Sequence, residues 1–564
     1  MIDPVTQFPD ERRNLVLVAA GWAILCIAAV FAYWPGLAGP FLLDDFGSIA
    51  DLGDRGGVVD WPTFKAFVFG GHSGPLGRPI ALLSFLIDGN NWPTDPWPFK
   101  RTNLLIHLLN GGLVGLLATK ILQLLQFDRR EARWIALASA ACWLLHPFLV
   151  STTLYAVQRM AQLSTLFVFA GLSFYVYGRS YLETRPLKAY SIMSLSIGIF
   201  TLLAMFSKEN GILLPLLIGV LEITIFASQQ SRLGSLHRYW AILFIVVPSA
   251  VIFLYLAKTV FRADFFETML PRDYSAYERL LTQARIVADY LKHWFIPELY
   301  TTGVFQDHFL KSSGILSPIT TLLGAILHSA LILLALLKRR KWPLFAFAVL
   351  FFYAGHVLES STLNLELYFE HRNYMTAAFL FLPLVALLRK KATQQVFFGV
   401  VVVGLLMLAG FTRYSATVWQ AFPSIVEASA RKAPTSARAQ AQYATQLFNA
   451  GRYEESLQVI DRAVEVIDTG HPLLVVNRLI IRCQLGILSK SEFEKAAEVV
   501  TKRFYNARSL QLYTALITSV ATGKCPEVSL TRLRTMFEQM LLLPVNAGPR
   551  SLSYSQLHYF IGLS

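Results

Sequence analysis

The chain has 564 residues, of which 54% are hydrophobic and only 15% are charged. Soluble domains carry about 25% charged residues, so a chain this apolar is not soluble throughout its length. The net charge of +14 does not indicate nucleic-acid binding, because the basic residues fall in short clusters between apolar stretches, as membrane topology requires. The composition therefore predicts an integral membrane protein that contacts lipid and has no nucleic-acid partner.

About eleven apolar segments approach the roughly 20 residues that a membrane-crossing helix needs. The first, residues 14–34, follows Arg12 and Arg13 and is typical of an uncleaved signal anchor. The others lie near 103–125, 134–150, 161–178, 188–206, 211–228, 240–258, 315–337, 342–357, 373–388 and 394–412. The predicted fold class is all-α, with a polytopic domain over residues 1–425.

The basic clusters give this domain an orientation. Clusters at Arg12–Arg13, Arg129–Arg133, Lys338–Lys341 and Arg389–Lys391 all fall on one side of the predicted spans. The positive-inside rule makes that side cytoplasmic. The loops on the outer side are then residues 36–102, 259–314 and 358–372, and the odd number of spans places the C-terminus outside as well.

After about residue 425 the apolar runs give way to amphipathic helical patterns. One stretch matches tetratricopeptide (TPR) spacing, with small residues where paired helices touch: Ala444, Leu447, Gly451, Tyr453, Ser456, Ile460 and Ala463. Two looser units follow, around Phe493 and around Gly523. With the first stretch they make three repeats, the minimum that a solenoid needs. The region 426–564 is predicted to be a TPR-like helical domain on the outer side that binds a protein; a plain helical bundle is the alternative.

Two cysteines, Cys483 and Cys525, lie in this C-terminal region, and the other two lie in apolar spans. No spacing typical of a metal site is present. The distance between Cys483 and Cys525 cannot be read from the sequence, so a disulfide between them stays open.

Two adjacent carboxylates, Asp44 and Asp45, follow the first apolar span. Charged groups beside hydrocarbon are costly, so their presence needs a reason. A carboxylate with a tuned pKa can take a proton from a hydroxyl acceptor. The alternative is a solvated acidic loop.

Further charged and polar residues stand at the outer ends of spans, where the basic clusters do not explain them. Each has a structural alternative: a hydrogen-bonded core histidine at His107, a local pair at Lys208 and Glu209, or a side chain that reaches the interface at Arg159. Together they place cations and carboxylates near one membrane surface, and such a pocket suits a lipid-linked phosphate. The set comprises Arg78, His107, His146, Arg159, Lys208, Glu209, Asp307, His308, Glu370, His371 and Arg372.

The order of these residues resembles the GT-C superfamily of polyprenyl-phosphate-sugar glycosyltransferases. In particular it is similar to the animal transmembrane-and-TPR O-mannosyltransferases and their bacterial relatives. The similarity covers nearly the whole chain, and around residues 365–372 it is greatest to the bacterial relatives, which favours a bacterial inner membrane. The matching pieces are Asp44–Asp45, Gly77–Pro79, Asn103–His107, His146–Pro147, Val157–Arg159, Lys208–Gly211 and Glu370–Tyr374.

The resemblance implies transfer of a sugar from a lipid monophosphate or diphosphate carrier on the periplasmic or lumenal side. By analogy, Asp44 or Asp45 is the general base, with Asp44 favoured, and Arg159, Lys208 and Arg372 hold the donor phosphate. Positioning roles fall to Arg78, His107, Glu370 and His371, while Glu209 is expected to orient Lys208. Some members of the superfamily use a divalent metal, but two adjacent acids are too few ligands to argue for one here.

Other functions fit parts of the pattern. The same fold can transfer sugar to a lipid or a cell-envelope polymer, whereas the TPR-like region favours a protein acceptor or partner. A membrane scaffold that recruits proteins leaves the number of spans unexplained. A transporter is expected to carry ionisable groups nearer mid-membrane, often within an internal repeat, and no such repeat is visible.

Overall fold

The computed structural model describes residues 4–228, 234–268, 272–301, 303–548 and 551–564. Parts of the predicted outer loop 259–314, namely 269–271 and 302, therefore lie outside the described residues. Helices make up 73% of the structure, and the described residues form no strand. The all-α fold class is therefore confirmed.

The chain divides into two compact units. The first contains most of the chain up to Phe422, and the second contains Pro423–Ser564 with short segments around Asp273 and Asp307. The α-helices of the first unit are α1 (Pro4–Tyr33), α2 (Trp61–Phe69), α3 (Pro79–Phe85), α4 (Pro96–Leu124), α5 (Arg129–Leu144), α6 (Val150–Leu154), α7 (Arg159–Arg179), α8 (Pro186–Ser207), α9 (Leu214–Thr224), α10 (Ser235–Ala241), α11 (Val247–Val260), α12 (Ala276–Phe295), α13 (Thr320–Lys338), α14 (Pro343–His356), α15 (Asn373–Thr376), α16 (Leu382–Lys391) and α17 (Gln394–Val418).

Local sequence explains where several of these helices begin. Proline occupies the first turn of α3, α4, α8 and α14, where its missing N–H costs no hydrogen bond. Asp128 caps α5 by accepting a hydrogen bond from the Arg130 N–H at 2.9 Å, and Ser275 caps α12 together with Glu278.

The described residues contain eight helical segments long and apolar enough to cross a membrane, or nine if the bent pair Arg129–Leu144 and Pro147–Leu154 counts as one span. This finding is consistent with the predicted integral membrane protein. The two remaining predicted spans form shorter helices, because α14 has 14 residues and the segment 373–388 is broken between α15 and α16. The count of eleven spans stays a prediction.

Several basic clusters meet at one end of the first unit. Arg133 lies 3.4 Å from Glu11, at the start of α1. Arg389, at the end of α16, lies 2.7 Å from Glu131, at the start of α5. The clusters that the sequence assigns to one membrane side thus approach one another in space.

The core of the first unit lies where α4, α5 and α15 meet. The Trp143 ring packs 4.9 Å from the Tyr374 ring, centroid to centroid, and its Nε1–H donates to the Tyr374 carbonyl at 3.1 Å. Both side chains are fully buried. The indole N–H of Trp143 is therefore buried with a hydrogen-bond partner.

The second unit consists of short helices in sequence: α18 (Phe422–Lys432), α19 (Ala437–Asn449), α20 (Tyr453–Val466), α21 (Pro472–Gln484), α22 (Lys490–Val500), α23 (Leu510–Ala521), α24 (Leu530–Leu541) and α25 (Leu552–Leu563). Helices α19 and α20 form a hairpin, with Gly451 at φ +75° in its turn. Ala444 and Ile460 are fully buried in this hairpin, and the Ser456 hydroxyl donates to the Ala444 carbonyl at 2.7 Å.

A disulfide joins Cys483, near the end of α21, to Cys525, between α23 and α24. The two Cα atoms are 4.8 Å apart and the loop between them spans 42 residues. A cross-link that closes a loop of that length raises the free energy of the unfolded chain by about 4 kcal/mol, because it lowers the conformational entropy of that chain. The question that the sequence left open is thus answered in favour of a disulfide.

We expect the disulfide to be visible by thiol counting. In protein denatured without reductant, maleimide should label only Cys26 and Cys142, the two free cysteines, and reduction should add two labels, counted by intact mass spectrometry. The Cys483→Ser variant should show three labels without reduction, because Cys525 loses its partner. Four labels on the unreduced wild-type chain would contradict the cross-link.

Candidate functional site

The turn that carries the acidic pair is anchored by Asp45. Its side chain is fully buried, and its two oxygens accept hydrogen bonds from the Val157 N–H at 2.7 Å and the Leu42 N–H at 2.8 Å. Burial raises the pKa of Asp45 to about 7, although both hydrogen bonds and nearby Lys100 oppose that change. Asp45 therefore fixes the first loop to the single helical turn that precedes α7.

Asp44, in contrast, exposes its side chain. Its backbone N–H donates to the Tyr155 hydroxyl at 2.7 Å. The preceding residue, Leu43, has φ +22°, in the left-handed region that side-chain-bearing residues rarely adopt. The strained turn buries one carboxylate and presents the other, so Asp44 is the member of the pair that an acceptor can reach.

Two ion pairs lie at the connection between α8 and α9. Lys208 Nζ is 2.7 Å from Glu359 Oε1, and Arg78 Nη2 is 2.8 Å from Glu209 Oε2. The expectation that Glu209 orients Lys208 is therefore wrong. Lys208 has an extended backbone (φ −160°, ψ 143°), which turns its side chain away from that of the next residue.

Glycines permit this close approach of the first loop. At Gly74, which has φ +72°, a Cβ atom would lie 2.0 Å from Glu209 Oε1. At Gly211, a Cβ atom would lie 2.3 Å from the backbone of Ala204 in α8. A side chain at Gly211 would push α8 away from the turn that carries Lys208, and a side chain at Gly74 would strain the backbone beside Glu209.

Arg372 and His371 join the same cluster. Both terminal nitrogens of Arg372 donate to backbone carbonyls, to Leu367 at 2.6 Å and to Glu366 at 2.5 Å. Its Nε is buried and has no hydrogen-bond partner among the described residues. His371 stacks on Phe369, with ring centroids 4.8 Å apart. Burial and the charge of Lys208 hold the pKa of His371 well below its usual value, so the ring is neutral.

The charges of these groups affect one another's pKa values. Burial lowers the pKa of Lys208, and the charges of Arg78 and Arg372 lower it further while Glu359 opposes them. Burial would raise the pKa of Glu359, but Lys208 and Arg372 outweigh it and lower that pKa to about 2. The charges of Arg78 and Arg372 thus both act on Lys208, and neighbouring cations of this kind can hold an anion.

The acidic turn and this cationic cluster rest on the same stretch of backbone. Asp45 binds the N–H of Val157, and Arg78 Nη1 donates to the sulphur of Met160 at 3.2 Å, three residues further on. The Ser48 and Ser73 hydroxyls, 3.0 Å apart, connect the acidic turn to the glycine-containing segment beside Glu209. One stretch of backbone, residues 155–160, therefore positions both the turn of the exposed carboxylate and the Arg78 side chain.

Arg159 lies in a separate, closed cluster. Its guanidinium is fully buried and bonds Asp88 Oδ2 at 2.5 Å and Asn103 Oδ1 at 2.8 Å. It also donates to the carbonyls of Ser84 and Phe99, each at 2.8 Å. Four of its donor hydrogens are thus used internally and no face is accessible, so the structure does not bring Arg159 to the predicted phosphate position.

His107 is likewise a buried core residue. Its ring nitrogens bond the Tyr374 hydroxyl at 2.8 Å and the Leu144 carbonyl at 3.0 Å. These contacts join α4, α5 and α15 and leave no nitrogen for a ligand. Glu370 is also buried, and its carbonyl accepts from the Asn373 side chain at 3.3 Å.

Two charged residues at the site, Glu359 and Lys100, are not among those that the sequence pattern predicts. Glu359 follows the apolar helix α14. Like Lys208, it is a charged residue at the end of an apolar segment, so the same pattern could have identified it. Lys100 is fully buried in the first turn of α4, and its Nζ has no hydrogen-bond partner among the described residues. Its position just ahead of an apolar run could have signalled it.

The described residues contain no group of three or more His, Cys, Asp or Glu side chains placed to hold a metal ion. No protein-family model, curated protein or solved structure matches this chain.

The closed cluster around Arg159 predicts that loss of this side chain lowers the stability of the protein. Arg159→Met should lower the stability of the detergent-solubilised protein by about 3–5 kcal/mol, because Asp88 keeps a buried charge without its partner. Arg101→Met is the matched control, since Arg101 lies 3.6 Å from the same Asp88 but its side chain is 46% exposed, and it should cost under about 1 kcal/mol. Thermal unfolding followed by tryptophan fluorescence compares the two. Equal melting temperatures of the two variants would contradict a stabilising role for the pair of Arg159 and Asp88.

Proposed function

We propose that this chain is an integral membrane glycosyltransferase of GT-C type. It moves a sugar from a polyprenyl-phosphate-linked donor to a protein hydroxyl on the periplasmic side of a bacterial inner membrane. The observation that carries the proposal is that one stretch of backbone anchors both an exposed carboxylate and a cation. The turn of Asp44 is held at residues 155–157, and Arg78, which pairs with Glu209 next to Lys208, contacts Met160.

In the proposed reaction, Asp44 takes the proton of the acceptor hydroxyl as its oxygen attacks the anomeric carbon of the sugar. The bond between that carbon and the phosphate oxygen breaks, and its electron pair stays on the phosphate. Lys208, Arg372 and Arg78 stabilise the negative charge that builds up there. The products are the glycosylated acceptor and the polyprenyl phosphate, so no further reactant is needed.

The remaining residues have supporting roles in this proposal. Asp45 holds the turn that presents Asp44, Glu209 orients Arg78, and neutral His371 lines the cationic cluster. Glu370 and His107 act through the packing of their loops and helices, and Arg159 anchors the first outer loop through Asp88. A divalent metal is left out of the mechanism, because the cations named above supply the charge that the leaving phosphate requires.

Two features support a periplasmic C-terminal unit. The disulfide between Cys483 and Cys525 fits an oxidising compartment, and the basic clusters gather at one end of the first unit, as the positive-inside rule expects of a cytoplasmic side. The hairpin of α19 and α20 carries small buried residues at TPR spacing. We infer that this unit is a TPR-like module that recruits the acceptor protein or a partner.

The phosphate role of Lys208 has a direct test. Lys208→Met should weaken binding of farnesyl phosphate, a short prenyl phosphate, by roughly tenfold or more, because a charge-assisted hydrogen bond contributes about 1.5–3 kcal/mol. Isothermal titration calorimetry on the full chain in detergent measures the affinity. Lys65→Met, which removes an exposed lysine from the first loop, is the matched control. Unchanged affinity in Lys208→Met would remove Lys208 from the phosphate site.

A further inference from the structure

The pair formed by Lys208 and Glu359 has an unusual setting for a site that must accept an anion. Their side chains are 8% and 9% exposed, and the charged atoms are 2.7 Å apart. A buried cation that loses its counter-ion is strongly destabilised. A ligand that displaces Glu359 from Lys208 must therefore bring a negative charge of its own.

A second observation points to an anion at the same place. The buried Nε of Arg372 has no well-formed hydrogen bond among the described residues, although the side chain interacts with Tyr290, and the charge of Arg372 acts on both Lys208 and Glu359. A buried donor without an acceptor is costly. An anionic oxygen that bridges Lys208 and Arg372 would satisfy this donor, whereas the Glu359 carboxylate leaves it unsatisfied.

The backbone of Glu359 is held independently of its side chain. The carbonyl of Glu359 accepts from Arg279 Nη2 at 2.8 Å, and the carbonyl of Ser361 accepts from Arg279 Nη1. Arg279 is itself fully buried in α12. The backbone at Glu359 is thus held by contacts that do not involve its carboxylate.

We propose that the Glu359 carboxylate occupies, in the donor-free protein, the position on Lys208 that a phosphate oxygen of the donor takes, and that the phosphate displaces it. This inference rests on the proposed function and assigns Glu359 a part in the donor cycle. Before donor binding the carboxylate keeps Lys208 neutralised. After transfer it competes with the polyprenyl phosphate for Lys208 and so promotes product release.

The effect of removing the Glu359 charge on phosphate affinity distinguishes a competing carboxylate from a purely structural partner. Removing a competing carboxylate frees Lys208 and strengthens phosphate binding, whereas removing a structural partner loosens the site and weakens binding. Glu359→Gln is nearly isosteric and separates the two cases. Glu278→Gln makes the same charge change at a helix-capping position of α12 and is the matched control.

The experiment measures farnesyl phosphate binding to the full chain in detergent by calorimetry. We expect Glu359→Gln to bind about tenfold more tightly than wild type and Glu278→Gln to bind like wild type. In the Lys208→Met background, Glu359→Gln should bring no gain, because the carboxylate then has no ammonium to release. Unchanged or weaker binding by Glu359→Gln, with wild-type binding intact, would overturn the displacement.

A second variant covers the case in which Glu359→Gln does not fold, as judged by size-exclusion chromatography. Glu359→Asp keeps the charge but withdraws it from Lys208 by one methylene, so it should bind farnesyl phosphate more tightly than wild type. Weaker binding by Glu359→Asp would also overturn the proposal. If the wild-type chain itself does not bind farnesyl phosphate, the proposed function fails along with this inference.

Discussion

A charged side chain beside hydrocarbon must be paired, hydrogen-bonded or open to water, and this constraint organises the first unit. Arg159 satisfies it with Asp88 and backbone carbonyls, and Asp45 satisfies it with two backbone N–H groups. The cationic cluster satisfies it incompletely, because the Arg372 Nε makes no well-formed hydrogen bond within the described part of the chain. The first two groups hold the fold together, and the third has capacity left for a ligand.

The same constraint separates neighbouring residues into different roles. Asp44 and Asp45 are adjacent in sequence, yet one is exposed and the other is buried as a clamp on Val157. Lys208 and Glu209 are adjacent as well, yet each pairs with a different segment of the chain. In each case one residue with an unusual backbone for its position, Leu43 at φ +22° or the extended Lys208, decides the direction of the side chains. The turns between helices, more than the helices themselves, build the site.

The sequence was sufficient for the helical class, eight of the predicted spans and the gathering of charged residues at span ends, since hydropathy and charge clusters report these directly. It could not reveal that Glu359 is the partner of Lys208, because that pairing depends on the extended backbone at Lys208. Nor could it show that Arg159 is enclosed, since Asp88 and Asn103 reach it from segments distant in sequence. Single residues at span ends identify candidates, while three-dimensional pairing decides which of them are accessible.

The central claim is that Asp44 serves glycosyl transfer at the outer surface. The most direct measurement compares envelope glycans, by intact-mass and glycopeptide mass spectrometry, in cells that carry the wild-type chain, Asp44→Asn or Asp54→Asn, an exposed carboxylate of the same loop. The account predicts that a glycan disappears from specific proteins in Asp44→Asn alone, since loss of a general base costs about 10²–10⁴-fold in rate. A change of mass confined to a glycolipid would instead mean that the acceptor is a lipid and not a protein. Identical glycans in all three strains, with each variant present in the membrane at wild-type level, would contradict the account.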